Sequence, residues 1–382
     1  MAFLSGLAGY GGSALHMALS VLPLLAIVVF VHEFGHFLVA RWCGVRVTDF
    51  SIGFGPEIAG FTDRKGTRWK LSWVPLGGYV KFLGDDNAAS VPDRAALAGL
   101  SEEERRHSFV HKPLHQRALV VVAGPVANFI LAVAVFSIMF ATVGRTMTTP
   151  KVGQVVPGGA AEAAGFQVGD VVLSIDGAAI ETFPDMQRIV STHAGRPLTF
   201  VIRRGDRDVT LTATPEQREV KGPFGRMHRL GVLGITRQNE PGDTPRVKRY
   251  DPAAAVALAC KQVYFIVEQT FGYLGRLLVG RESLDQLSGP VGIAQVTSRA
   301  ASMGPTYWIE ILCWISLSIG LLNLFPIPML DGGHLLYYAI EAVRGRPMSE
   351  RAQELGFRVG LAIVLMLMVF ATWNDLMLPK LL

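Results

Sequence analysis

The sequence predicts a multi-pass α-helical membrane protein with four transmembrane helices and one inserted, small β-rich domain. Three observations lead there. Half of the 382 residues are hydrophobic and only 18% are charged, too apolar a balance for an ordinary soluble chain. Four stretches, near residues 15–40, 119–143, 307–330 and 357–378, are apolar and long enough to cross a hydrocarbon core, which takes about 20 helical residues. Between the second and third, residues 152–214 alternate apolar and polar positions in short runs (VGQVV, DVVLSI, LTFVIRR, DVTLTAT) punctuated by Gly and Pro, the pattern of half-buried strands.

The first apolar stretch lacks a basic flank on its N-terminal side and a small-residue cleavage site, so it reads as a retained helix and not a signal peptide. Arg41, Arg46, Lys112 and Arg117 flank the first two spans, and Arg344, Arg346, Arg351 and Arg358 occupy the short connection between the last two. The excess of basic residues in short loops places both segments in the cytoplasm. The long 145–305 segment and both termini then face the outside, and the chain is expected in the bacterial inner (cytoplasmic) membrane. Residues 252–280 turn helical and apolar but are interrupted by Lys261, Glu268 and Arg276. A pair of interfacial amphipathic helices is expected there in place of a fifth span. The resulting division is 1–144 for the first two spans, 145–220 for the β-rich domain, 221–304 for a linker with amphipathic helices, and 305–382 for the last two spans.

The net charge of +5 suits anionic lipid headgroups and does not by itself point to nucleic acid, which is not an expected partner. Cys43, Cys260 and Cys313 are far apart and show no CxxC spacing, so neither a disulfide framework nor a cysteine metal site is expected.

The chemistry concentrates in the sequence HEFGH, His32 to His36, inside the first apolar stretch. Residues four apart on a helix lie about 40° apart on one face, one turn above the other, so both imidazoles can reach one ion. Ionisable residues inside an apolar span are costly to bury and are functional by default. Zinc held by two His and a carboxylate keeps a position open for water, and Glu33 is placed as the general base. The competing reading is a hydrogen-bonded structural His pair.

A third ligand is sought in the other spans. The third ends in NLFPIPMLDGGH, Asn323 to His334. Two prolines two apart break a helix, so an unwound segment is expected at membrane depth, tolerated only against protein or a water-filled cavity. Asp331, at the end of that break, is the expected third ligand. His334 is the alternative, although a supporting or helix-start role suits it better. His107, His111 and His115 are also spaced by four, but Pro113 interrupts them, and they read as surface histidines.

With HEFGH on the first span and NLFPIPMLDGG on the third, the chain resembles the site-2 protease family of intramembrane zinc metalloproteases (peptidase M50B), in its sigma-E-regulator branch. GGYVKFLGD, Gly77 to Asp85, resembles the family's membrane-associated β-loop. HQRALVVVAGPVANF, His115 to Phe129, resembles its second span with the GPxxN element, and LSGPVGIA, Leu287 to Ala294, the stretch before its third. The resemblance implies one zinc ion per chain on His32, His36 and Asp331, with Glu33 as catalytic acid/base. Gly78, Tyr79, Val80, Lys81 and Phe82 form a glycine-bounded extended run able to pair with an extended substrate through main-chain hydrogen bonds. Asn323 is a candidate for holding substrate backbone or tying the unwound helix, and Asn128 for linking helices.

Val152 to Gly177 resembles the glycine-rich loop, short helix and GD turn of bacterial PDZ modules, so the inserted domain is expected to be a PDZ domain. Gly158, Gly159 and Ala160 are its candidate peptide-binding loop, for peptide C-termini or extended segments. One such unit is visible where the enterobacterial type has two. The function implied is cleavage of the transmembrane segments of single-pass membrane proteins, such as an anti-sigma factor already cut by another protease. Other membrane proteins or remnant signal peptides are alternative substrates. A non-catalytic PDZ scaffold and a zinc transporter are the readings from other classes; a transporter should carry polar residues at several depths, and these spans carry theirs at one.

Overall fold

The computed structural model describes residues 2–85, 99–221, 227–237, 246–280 and 288–377. Leu287 of the LSGPVGIA stretch and residues 238–245 of the expected linker lie outside them. In chain order the elements are α1 (Ala2–Trp42), β1 (Val47–Thr62), β2 (Arg68–Phe82), α2 (Glu102–His107), α3 (Leu114–Thr142), β3 (Arg145–Met147), β4 (Val152–Val155), α4 (Ala160–Ala163), β5 (Val171–Ile175), β6 (Ala178–Ala179) and α5 (Phe183–Thr192). They continue with β7 (Leu198–Arg204), β8 (Arg207–Ala213), β9 (Glu216–Lys221), β10 (Met227–Val232), β11 (Ile235–Arg237), β12 (Arg246–Lys248), α6 (Pro252–Leu278), α7 (Pro290–Met303), α8 (Pro305–Asn323), α9 (Asp331–Arg344) and α10 (Glu350–Met377). Among the described residues, four helical stretches are long and apolar enough to cross a membrane: Leu15–Trp42, Leu114–Thr142, Pro305–Asn323 and Arg351–Met377.

The third of these stops at Asn323, seven residues short of the expected end at 330. Pro326 and Pro328 cannot donate to a helix ladder, so the chain turns through residues 324–330 before α9 begins at Asp331. The expected helix pair at 252–280 is instead one continuous helix of 27 residues, α6. The Asp251 carboxylate accepts from the amides of Ala253 and Ala254, Pro252 occupies the first turn, and nothing inside the segment breaks the ladder.

The chain divides into two compact units. The first comprises Met1–Phe136, Ala259–Leu274 and Leu287–Leu378. Here β1 and β2 form a long antiparallel hairpin folded over on itself. Residues Asp49 to Ile52 are paired both with Lys81 to Gly78 and with Arg68 to Leu71. That leaves residues 78–82 along a border, where their only strand partner among the described residues is β1. Alternation along the strand turns Val80 and Phe82 into a core with Phe37, Ala40, Val45, Val47, Phe50 and Val120. Phe37 makes edge contacts with Phe50 and Trp69, at 5.6 and 5.0 Å between ring centroids. Arg41 lies over the Phe37 ring and pairs with Asp63 at 2.5 Å. The hairpin is thereby fixed to the C-terminal half of α1.

Helix α7 is docked at both ends. The amide of Gly292 donates to Asp375 Oδ2 of α10 at 2.6 Å, and Gly289 lies so close to Ala371 that a Cβ there would come 2.7 Å from its carbonyl carbon. Further along, Ser298 and His16 of α1 meet at 3.0 Å. These contacts give the glycines of the LSGPVGIA stretch a packing role. Helix α10 also packs on the unwound segment: a Cβ on Gly360 would fall 1.8 Å from the Pro328 carbonyl oxygen. Gly360→Leu should therefore push aside the segment that carries Asp331. The expected overpacking cost is about 1–3 kcal/mol, read as a lower thermal midpoint together with weaker zinc retention in chelator competition.

The second unit comprises Ser137–Leu258, Gly275–Gln286 and Pro379–Leu382. Its largest sheet has the order β6-β5-β7-β8, with β11 paired to β4 and β10 to β9. The core is Val152, Phe166, Val172, Ile175, Met186, Val190, Leu198, Phe200, Ile202 and Leu233, with smaller neighbours. Strands β10 and β11 belong to this unit, so its sheets run past residue 220, where the linker was expected to begin. The run from 227 reads poorly as strand because Gly231 and Gly234 interrupt it.

Asp185 holds α5 in this unit. It closes a capping box with Thr182 and pairs with Arg145 at 2.5 Å and with Arg188. Burial would raise its carboxyl, but the Thr182 hydroxyl and the two guanidiniums outweigh that and keep it below the usual carboxylate range. A carboxylate depressed in the folded state contributes stability above its unfolded pKa, about 3.9, and loses it as pH falls below that value. Protection of the α5 amides, taken relative to their intrinsic exchange rate at each pH, should fall on acidification below about pH 4, and Asp185→Asn should remove most of that pH dependence.

Candidate metal centre

The site is built by three elements of the first unit. On α1, one helical turn brings His32 Nε2 and His36 Nε2 to 3.2 Å from each other. At the start of α9, Asp331 lies with Oδ2 3.1 Å from His32 Nε2 and Oδ1 3.5 Å from His36 Nε2. The backbone that delivers it is tightly folded: a Cβ on Gly332 would strike the carbonyl oxygens of Phe325 and Leu324 at 2.2 and 2.3 Å, so DGG is the sequence that lets α9 start beneath its own loop. Among the described residues, His32, His36 and Asp331 are the one group of three His, Cys, Asp or Glu side chains spaced to share a metal ion.

The third element is α3. A Cβ on Gly124 would lie 2.3 Å from His36 Nε2 and 2.9 Å from His32 Nε2. The missing side chain at Gly124 therefore leaves open the space onto which both imidazoles converge. Four residues upstream, the Val120 carbonyl accepts a hydrogen bond from His36 Nδ1 at 2.8 Å. Asn128, fully buried, sits with its side-chain amide 3.2 Å from His32 Nδ1. Asn323, at the end of α8, has its amide 3.3 Å from His32 Nε2.

Zinc fits this donor set. Tetrahedral zinc with ligand bonds of about 2.0–2.1 Å holds its ligand atoms about 3.3 Å apart; the two Nε2 atoms are 3.2 Å apart, and the Asp331 carboxylate approaches them at 3.1 Å through Oδ2 and 3.5 Å through Oδ1. Asp331 Oδ2 is buried without a hydrogen-bond donor, as a metal ligand would be. Since the Val120 carbonyl can only accept, His36 carries its proton on Nδ1 and turns a bare Nε2 inward.

Glu33 is half-buried on α1, and strand β2 passes directly over it. A Cβ on Gly78 would be 3.0 Å from Glu33 Cγ and 2.9 Å from Val29 Cγ1. The extended run Gly78, Tyr79, Val80, Lys81, Phe82 therefore starts beside the candidate general base and follows the border of the hairpin. Asn323 reaches the same site. His334 is not part of the three-residue group; its ring faces Tyr337, 6.5 Å between centroids. His107, His111 and His115 are exposed and lie on separate segments, α2, a 3₁₀ turn and α3, so Pro113 has the effect expected of it.

The turn Gly158–Ala160 leads into α4 of the second unit. Its neighbourhood is already bonded: Gly158 N donates to Glu162 Oε2, Gly159 N to Val156 O and Ala161 N to Leu233 O. These bonds tie the turn to α4 and to the segment leading into β11.

This arrangement is that of a metal-dependent hydrolase, with two ligands on the apolar helix α1 and the third at the start of α9. Residues 20–367 match the model of peptidase family M50. A protein of Agrobacterium fabrum provisionally named a zinc metalloprotease is 47% identical over 92% of this chain and 93% of its own length. The regulator of sigma-E protease RseP of Salmonella typhimurium is 31% identical over 92% of this chain and 96% of its own. The chain belongs to peptidase family M50, the site-2 proteases, and is a zinc metalloprotease. A solved PDZ domain of the SdrC-like protein from Listeria monocytogenes is 18% identical over 24% of this chain and 90% of its own, but its TM-score of 0.19 is too low to decide a fold.

Proposed function

We propose that the protein is an intramembrane endopeptidase with one zinc per chain, which cleaves transmembrane segments of single-pass membrane proteins. The observation that carries this reading is the group His32, His36 and Asp331, formed between the apolar helix α1 and the start of α9, with a strand border passing over Glu33. When bound, zinc supplies Lewis acidity that polarises the scissile carbonyl and makes water nucleophilic near neutral pH. Glu33 takes the proton of the attacking water and delivers it to the leaving amine. A substrate helix must unwind to be cut, and the Gly78–Phe82 border offers its extended form main-chain hydrogen bonds that demand no particular sequence. Asn323 is positioned to hold the substrate backbone beside the ligands.

The charge distribution supports a site near the cytoplasmic side of the inner membrane and a second unit outside it. That unit is read as one PDZ-like module that receives extended peptide segments, consistent with a substrate already trimmed outside, such as a pre-cut anti-sigma factor. Family membership sets aside the idle scaffold. Purified protein reconstituted in liposomes with a single-pass membrane substrate should cut within the apolar segment. A zinc chelator should stop cleavage and added zinc restore it; cleavage confined to the soluble flank, or indifferent to the chelator, would overturn the proposal.

A further inference from the structure

We infer that Asn128 is a positioning residue for the metal centre: its side-chain carbonyl takes the Nδ1 proton of His32 and so leaves Nε2 bare for the ion. The inference rests on the zinc site proposed above and adds a residue to it. Neutral imidazole carries one proton, and the nitrogen opposite the ligand atom must hold it. For His36 the Val120 carbonyl settles the matter, because it can only accept from Nδ1. For His32, Asn128 is the group at Nδ1, 3.2 Å away.

The two ends of an amide are nearly the same shape, and the hydrogen-bond network decides which end faces a partner. With Nδ2 toward His32, Nδ1 would have to accept and the proton would move to Nε2. That state aims an N–H at the point where Nε2 of His36 and the carboxylate of Asp331 converge. Turned over, Oδ1 accepts from Nδ1, and the two histidines present matching lone pairs. The side chain is well fixed for this task. Asn128 is fully buried, Ser316 Oγ donates to its backbone carbonyl at 3.0 Å, and Gly320 packs against its Cβ. In the GPVAN sequence, then, Gly124 leaves room for the ion and Asn128 orients one of its ligands, one helical turn apart on the same face of α3.

The test compares zinc affinity by chelator competition in the full-length detergent-solubilised protein, for wild type, Asn128→Leu and Asn128→Asp. Loss of an outer partner of a metal-bound histidine lowers affinity about 10- to 100-fold, and this is expected of Asn128→Leu, with the melting midpoint of the zinc-free protein unchanged. Asn128→Asp keeps an acceptor of the same size and should stay within about threefold of wild type. Nitrogen-15 spectra of histidine-labelled, zinc-loaded wild type should show His32 protonated at Nδ1. Wild-type affinity in Asn128→Leu, or an Asp variant as weak as Leu, would overturn the inference while leaving the zinc site standing. If Asn128→Leu does not fold, the Asp variant decides alone. A wild type that binds no zinc would overturn the proposed site as well.

Discussion

Gly124→Ala is expected to abolish zinc binding without unfolding the protein. An alanine in a helix normally stabilises it by about 1 kcal/mol relative to glycine, so a loss of metal cannot come from a weaker α3. It comes from the new methyl group, which would occupy the point 2.3 Å from His36 Nε2 and 2.9 Å from His32 Nε2. Both rings would have to rotate out of a close-packed interface, breaking the 2.8 Å bond from His36 to the Val120 carbonyl. Zinc measured by mass spectrometry on chelator-washed protein should fall below about a tenth of the wild-type content, given the sensitivity of such sites to their outer partners. The circular dichroism spectrum and melting midpoint should match those of zinc-free wild type.

Glu33→Gln is the complementary case, in which zinc stays and cleavage goes. Glutamine has the shape of glutamate but cannot accept the proton that the attacking water must lose. General acid–base catalysis contributes about 10²–10⁴-fold, so cleavage of a reconstituted single-pass substrate should fall by that factor. Because Glu33 is outside the group spaced to share the ion, zinc content should remain that of wild type. A variant that lost both together would make Glu33 a ligand or a structural residue.

Much of this site is legible in the sequence alone, for reasons that differ by residue. His32 and His36 follow from helical spacing, and Asp331 from two prolines two residues apart, which end α8 and leave the aspartate at the start of the next helix. The helix-breaking prolines also locate the unwound segment, though they end α8 earlier than its apolar run suggests. Gly124 is not legible in this role, because a glycine in an apolar helix usually marks close helix packing, and only the neighbouring helix reveals that its empty side faces two imidazoles. Asn128 reads as a link between helices for the same reason. The α6 segment misleads through its charges: Lys261, Glu268 and Arg276 suggest a broken pair, but charge at intervals leaves a helix ladder intact.

The central claim is that one zinc ion sits between α1 and α9 on two imidazoles and a carboxylate. Zinc K-edge X-ray absorption of the full-length protein, washed with chelator and reloaded with one equivalent of zinc, tests it most directly. The expected spectrum has a first shell of nitrogen and oxygen near 2.0–2.1 Å and multiple scattering from two imidazole rings, one of which is lost in His36→Ala. A sulfur shell near 2.3 Å, or a spectrum unchanged by His36→Ala, would contradict it.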